Sequence, residues 1–345
     1  MPRLSHHLLR RARLVHRLLP SLLLACRDLA SARNELRWLR EHALAQAPDR
    51  WPSRLRAMVQ ERAAGRPLQY ILGTEFFGDL ELACRPGVLI PRQETAASIA
   101  ALAERLHASP ALPPRLRVLD LCTGTGCIPL LFEDLCRQSA RAPDLRLLGV
   151  DVSSRCVGLA RHNARRCGSS RAQFARADVL ADDLMASSAA VPSLMHMLRA
   201  KGQLHWDVLI SNPPYISPRA FVHTTTRSVR NFEPKLALVP PVSDTRPDPC
   251  GDVFYPKLLD IADCVLAKLV LFEVADMDQA LRVARLAQDR GAWQGIEIWR
   301  DEPAAQESPA PSTAVHLDGI RILGRGDGRS VVCWRAEASQ WLAHR

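Results

Sequence analysis

The nine residues Asp207 to Tyr215, DVLISNPPY, constrain this chain more than any other stretch. Val208-Leu209-Ile210 is short, apolar and partly β-branched, the pattern of a buried parallel strand. It runs directly into Asn212-Pro213-Pro214-Tyr215, and in open α/β sheets ligands sit just beyond the carboxyl ends of such strands. Each proline fixes φ and lacks an N–H, so the backbone there can rejoin neither a helix nor a ladder. The carbonyls of Asn212 and Pro213 are therefore expected to face a cavity. The Asn212 side-chain oxygen beside a rigid carbonyl offers two acceptors for the two hydrogens of an –NH2 group, and the Tyr215 ring can pack on a planar group. Holding both hydrogens aims a weakly nucleophilic, delocalised nitrogen and stabilises the positive charge that grows on it. Taken alone, Asn-Pro-Pro also fits ordinary loop punctuation.

The 345 residues suffice for one large or two ordinary domains, and 47% apolar content with no apolar run near 18 residues indicates a soluble globular protein with no membrane partner. The formal net charge is +10, with four lysines among 46 basic residues. The arginines are scattered, and their number fits a nucleic-acid or ribosomal partner or simply a GC-rich genome. Ten cysteines without a CxxC pair or zinc spacing read as reduced thiols, and no metal is expected.

Residues 1–20 contain five arginines and no carboxylate. They read either as an organellar transit peptide, hence a mitochondrial location with the cytoplasm as the alternative, or as the first helix of a helical domain. Residues 21–64 predict a small helical, substrate-recognising domain, and the glycines, prolines and alternation of 65–95 predict a β-hairpin linker. A helix is expected over 96–107, begun by Glu94 or Thr95. The catalytic domain then occupies 96–345.

Arg117 to Leu121 reads as a strand, followed by the glycine turn Cys122-Thr123-Gly124-Thr125-Gly126 and a helix over 129–138 with Pro129 in its first turn. Pro129 replaces the third glycine of the dinucleotide fingerprint, which argues against a nicotinamide cofactor. With Asp120 ahead of the turn, the pattern resembles the D-x-G-x-G-x-G loop that binds S-adenosylmethionine. Cys122 stands where that loop has its first glycine, a departure that an ordinary φ would accommodate. The strand 147–151 ends in Asp151, placed for ribose hydroxyls, and after a helix over 154–166 the strand 173–178 ends in Asp178, placed for an adenine amino group.

Together these segments resemble a class I S-adenosylmethionine-dependent methyltransferase, an α/β Rossmann-like fold, and within it the release-factor glutamine N5-methyltransferases. The resemblance spans about residues 20–335. It rests on Arg66-Pro67, Gln69-Tyr70-Ile71, Gly73, Leu89-Ile90-Pro91-Arg92, Glu94-Thr95, Phe232-Glu233-Pro234, Ala237-Leu238, Glu273 and Gln279. Gln93 and Ala96 depart from the usual Pro and Glu. The resemblance implies an N-terminal helical domain, a hairpin linker and a seven-stranded catalytic sheet. It also implies methyl transfer to the glutamine of the Gly-Gly-Gln loop of a peptide-chain release factor. By it Asp120, Cys122, Thr123, Gly124, Gly126, Asp151 and Asp178, joined by Asn212, bind S-adenosylmethionine. Asn212, Pro213, Pro214 and Tyr215 hold the glutamine, with Asn212, Pro213 and Tyr215 catalytic.

A sulfonium methyl is already activated, so alignment is the main task and no catalytic His or Cys is expected; His223 reads as a solvated loop residue. Residues 216–250 read as one long loop walling the acceptor pocket, with Glu233 either paired or solvated. Insertions are expected at 182–204 and 302–315, and strands at 268–274, 295–299 and 330–334 with a helix over 276–290. Asn-Pro-Pro-Tyr is shared with nucleic-acid amino-methyltransferases, but no DNA-binding motif accompanies it. A non-catalytic scaffold is disfavoured by the intact acceptor motif. No coiled coil or long apolar stripe calls for an oligomer, so a monomer is expected.

Overall fold

The computed structural model describes residues 3–139, 141–181, 190–241, 248–305, 315–317 and 319–342. Two compact units emerge, one formed by 1–74, 84–87 and 225–233, the other by 75–83, 88–224 and 234–345.

The first unit is helical: α1 (His6–Val15), α2 (Leu19–Cys26), α3 (Leu29–Gln46), α4 (Trp51–Ala63) and α5 (Leu68–Leu72). Ser5 and Asp28 cap α1 and α3 by accepting from the amides of Leu8 and Ser31, which satisfies donors the helix itself leaves open. One face of each helix then closes a core of Ala12, Leu19, Leu22, Leu23, Leu39 and Met58, each fully buried leucine contributing about 2 kcal/mol. The boundary drawn at residue 20 in the sequence runs through α2, and α1 already belongs to this core. Arg62 forks onto Glu35 at 2.8 and 2.9 Å, tying α4 to α3.

The second unit opens with the hairpin β1 (Thr74–Phe77) and β2 (Leu80–Ala83), followed by α6 (Gln93–Ala108). Then strand and helix alternate: β3 (Arg115–Leu121), α7 (Cys127–Arg137), β4 (Asp144–Asp151), α8 (Ser154–Arg166), β5 (Ala172–Arg176), α9 (Leu194–Ala200) and β6 (Val208–Ser211). After β6 come α10 (Pro218–His223), then α11 (Arg227–Phe232), which belongs to the first unit, and α12 (Phe254–Cys264), β7 (Leu269–Glu273), α13 (Met277–Asp289), β8 (Gly295–Glu302), β9 (Val315–Leu317), β10 (Ile320–Leu323) and β11 (Arg325–Trp334). The main sheet has the order β5-β4-β3-β6-β7-β11-β8-β10-β9. Strands β3 to β7 are parallel, and β11 enters antiparallel between β7 and β8. Among the described residues the sheet thus has nine strands rather than seven, because β10 adds alongside β8 and β9 alongside β10.

Both faces of this sheet are covered, as a parallel sheet requires. Along β3, Leu116 and Val118 face the layer of α6, α7 and α8, while Leu119 and Leu121 face that of α9, α12 and α13. Residues 216–250 are not one loop: α10 and α11 occupy part of them, capped by Ser217 and Thr226, and 225–233 cluster with the first unit. Glu233 is buried, so the solvated alternative fails. Of the two expected insertions, 182–189 and 306–314 lie outside the described residues. No described helix is long and apolar enough to cross a membrane.

Candidate active site

The strand order reverses between β3 and β6, and their registered carboxyl ends, Leu121 opposite Ser211, make the crevice such a sheet offers a ligand. Ser211 closes the two ends by donating its hydroxyl to the Leu121 carbonyl at 2.8 Å. Next door, β7 places Phe272 opposite Ser211, so Glu273 arrives beside Asn212.

On the β3 side, Asp120 is fully buried, and neither of its carboxylate oxygens nor the hydroxyls of Thr123 and Thr125 has a hydrogen-bond partner among the described residues. Burial, reinforced by the nearby Asp151 charge, pushes the Asp120 pKa up to about 8. The turn is held by Thr123 N–H on the Val150 carbonyl at 3.0 Å and Gly126 N–H on the Thr123 carbonyl at 2.8 Å. Gly126 has φ +79°, and a Cβ there would meet the Phe174 ring at 2.9 Å, so only glycine fits. At Gly124 a Cβ would meet nothing within 4 Å, which leaves the turn open on that side. Cys122 departs from expectation: its φ is +64°, a left-handed conformation that a side chain rarely adopts.

Asp151 ends β4 and accepts the amides of Gly124 at 3.0 Å and Ser153 at 2.9 Å. Burial raises its pKa, while those two amides act against the rise. Each of its oxygens keeps a second lone pair for a ligand hydroxyl. Asp178 lies beyond the end of β5, in an isolated bridge to Ser193, with its carboxylate on the Leu180 amide at 2.8 Å. The fully buried Asn163 of α8 joins β2 to the glycine turn, through both polar groups of Ala83 and the Thr125 carbonyl at 3.0 Å.

On the β6 side, Asn212 donates its Nδ2 to Thr95 Oγ1 at 3.3 Å, and its Oδ1 has no partner among the described residues. The carbonyls of Asn212 and Pro213 likewise accept no hydrogen bond from a described residue. Thr95 donates to Glu273 Oε2 at 2.5 Å and Tyr215 donates to Glu273 Oε1 at 3.1 Å. Burial raises the Glu273 pKa, opposed by those two hydrogen bonds and the positive Arg329. Gln279, buried on α13, donates to the Tyr215 carbonyl at 3.3 Å and to Asp252 at 2.8 Å, and accepts the Ala275 amide at 2.7 Å. It holds the 250–252 segment against Tyr215. Gly251 meets that segment's tightest demand, since a Cβ there would lie 2.3 Å from the Tyr215 carbonyl oxygen.

The structure therefore gathers Asp120, Thr123, Gly124 and Asp151 at one side of the crevice and Asn212 to Tyr215 at the other. Glu273 and Gln279 carried no role in the sequence beyond a resemblance, and Thr95 only that of a helix start, which the structure instead places at Gln93. Their partners stand 178 and 64 residues away along the chain, so no local pattern shows them.

A reversed parallel sheet with an antiparallel strand inserted between β7 and β8, a glycine turn after its first central strand and an acid ending the second, defines a class I S-adenosylmethionine-dependent methyltransferase. No protein-family model matches the chain. It is 32% identical over 324 residues to the probable MRF1 mitochondrial N(5)-glutamine methyltransferase mtq1 of Schizosaccharomyces pombe, covering 89% of this chain and 92% of that one. With the mitochondrial MRF1 N(5)-glutamine methyltransferase MTQ1 of Saccharomyces cerevisiae the identity is 35% over 243 residues, 69% of this chain and 68% of that one. The release factor glutamine methyltransferase of Nitratidesulfovibrio vulgaris shares 38% over 247 residues, 71% and 72% of the two chains. The chain belongs to the release-factor glutamine methyltransferases.

Proposed function

We propose that the protein methylates the side-chain amide nitrogen of the glutamine in the Gly-Gly-Gln loop of a mitochondrial peptide-chain release factor, with S-adenosylmethionine as donor. The compartment follows the names of the two fungal relatives.

The observation that carries the acceptor reading is the Asn212 amide. Its nitrogen is engaged by Thr95, while neither its oxygen nor the Pro213 carbonyl beside it has a partner among the described residues. Two acceptors at the mouth of β6 suit the two hydrogens of a carboxamide –NH2. Asn212 and Pro213 hold that nitrogen with its face toward the crevice and stabilise the charge that develops on it. Tyr215, anchored through its hydroxyl on Glu273, packs against the amide plane and excludes water. An alkylated amide loses its proton readily, so no side chain acts as a strong base.

The residues across the crevice suit the donor. Buried, unpartnered oxygens on Asp120, Thr123 and Thr125 and the open side of Gly124 are groups left for a polar ligand. Asp151 would hold ribose hydroxyls and Asp178 an adenine amino group. S-adenosylmethionine supplies an electrophilic methyl when bound.

The test is incubation of the protein and labelled S-adenosylmethionine with a mitochondrial release factor, its Gln→Ala loop variant and duplex DNA. Label on the unaltered factor alone is expected. Label on the DNA, or on the loop variant equally, overturns the proposal.

A further inference from the structure

An asparagine amide can present either its oxygen or its nitrogen to a ligand, and the two orientations have nearly the same shape. Which one the acceptor meets decides between a carboxamide and a carboxylate, since –NH2 needs an acceptor and a carboxylate needs a donor. Asn212 is half-buried and rooted on the stiff Pro-Pro backbone, so the choice falls to whatever its inner end touches.

That contact is Thr95, which is 3% exposed, and behind it Glu273, which is 2% exposed. A carboxylate only accepts hydrogen bonds, and Glu273 takes the Thr95 proton at 2.5 Å. With its one proton committed, Thr95 Oγ1 can only accept, and the group facing it at 3.3 Å must be the Asn212 –NH2. The Asn212 oxygen is thereby turned outward. The second Glu273 oxygen takes the Tyr215 proton at 3.1 Å, so one carboxylate sets both ends of Asn-Pro-Pro-Tyr. The three residues come from the start of α6, the end of β7 and the end of β6, and they meet only because β6 and β7 are registered neighbours.

We infer that Glu273, acting through Thr95, is a positioning residue that fixes the amide polarity of Asn212 and so selects a glutamine carboxamide over a glutamate carboxylate. The inference rests on the acceptor reading above and adds to it the origin of the selectivity. Thr95 is a positioning residue in the same relay. Neither residue touches the substrate in this account.

The test compares the affinity of the full chain for a release factor carrying Gly-Gly-Gln with its affinity for the Gly-Gly-Glu variant, by titration calorimetry. The unaltered protein is expected to prefer glutamine by about tenfold or more, since a mismatched orientation leaves a buried polar group unpaired. Thr95→Val keeps the shape and the Glu273 charge but releases the Asn212 amide, and should bring the ratio toward unity. Thr95→Ser keeps the hydroxyl and should retain the preference. Glu273→Gln, which can donate to Thr95, should also lower the ratio, and it carries the comparison if Thr95→Val does not fold. S-adenosylmethionine affinity should stay within about threefold throughout, because the relay acts on the acceptor side. A wild-type ratio retained by folded Thr95→Val and Glu273→Gln overturns the relay alone. No preference in the unaltered protein overturns the acceptor reading, and the relay with it.

Discussion

Asn212 is the residue on which the proposed chemistry turns. Asn212→Ala should lower turnover by about 10²–10³, the usual loss when a preorganised group facing developing charge is removed. Binding of S-adenosylmethionine, followed by calorimetry, should change little; an equal loss of both would take Asn212 out of the acceptor site. Cys122 poses a different question at the same scale. Its φ of +64° costs a residue with a side chain about 1–2 kcal/mol. Cys122→Gly is therefore expected to melt no lower than the parent, whereas Cys122→Val, β-branched and least tolerant of that conformation, should lose about 1–2 kcal/mol. Equal melting of the two variants would show that the turn relaxes away from the left-handed region.

Among the elements, the 250–252 segment lies against the acceptor motif by close backbone approach and a side-chain bridge. Gln279 donates to the carbonyls of Tyr215, Cys250 and Gly251, and Gly251 approaches Tyr215 where no Cβ fits. Gly251→Ala must push one backbone off the other, since neither is a flexible side chain. A stability loss of about 1–3 kcal/mol is expected, together with slower amide turnover and little change in S-adenosylmethionine affinity. Denaturant titration and single-turnover methylation measure the two effects; an unaltered rate would detach the 250–252 segment from the acceptor side. The sequence showed this region as a featureless loop because α10 and α11 are short and their apolar residues are too few to mark a helical period.

For the whole molecule, stability should depend on pH through Asp120. Its folded pKa of about 8 lies well above the ordinary carboxylate value of 3.8, so the ligand-free folded state binds the proton more tightly than the unfolded chain. The stabilisation is complete below about pH 4 and is lost as pH rises toward about 8. Asp120→Asn cannot ionise, so its stability relative to the parent should improve steadily from about pH 5 to about pH 8, by more than about 1 kcal/mol. Chemical unfolding of the ligand-free protein at several pH values checks this, and a constant difference would show that Asp120 stays ionised. Charge is also arranged at this scale. The first 74 residues hold fourteen arginines against five carboxylates, so they carry +9 of the net +10. Both distributions are uneven, since this fifth of the chain holds fourteen of the 42 arginines and five of the 36 carboxylates.

By itself, the sequence determined the class of the fold and the family. Strand-turn-helix units with an acid or a glycine turn at the strand end are local patterns, written within about ten residues and readable from hydrophobic period and turn chemistry. The two added strands at the sheet edge and the helices within 216–250 left weaker marks, because short elements borrow their stability from neighbours. Only the tertiary structure decided the left-handed Cys122, the unpartnered Asp120 and the chain from Glu273 through Thr95 to Asn212. Each depends on groups brought together from distant parts of the chain, where burial and a single committed proton set what a side chain can offer. Residue identity names a donor or an acceptor, and the fold decides which way it points.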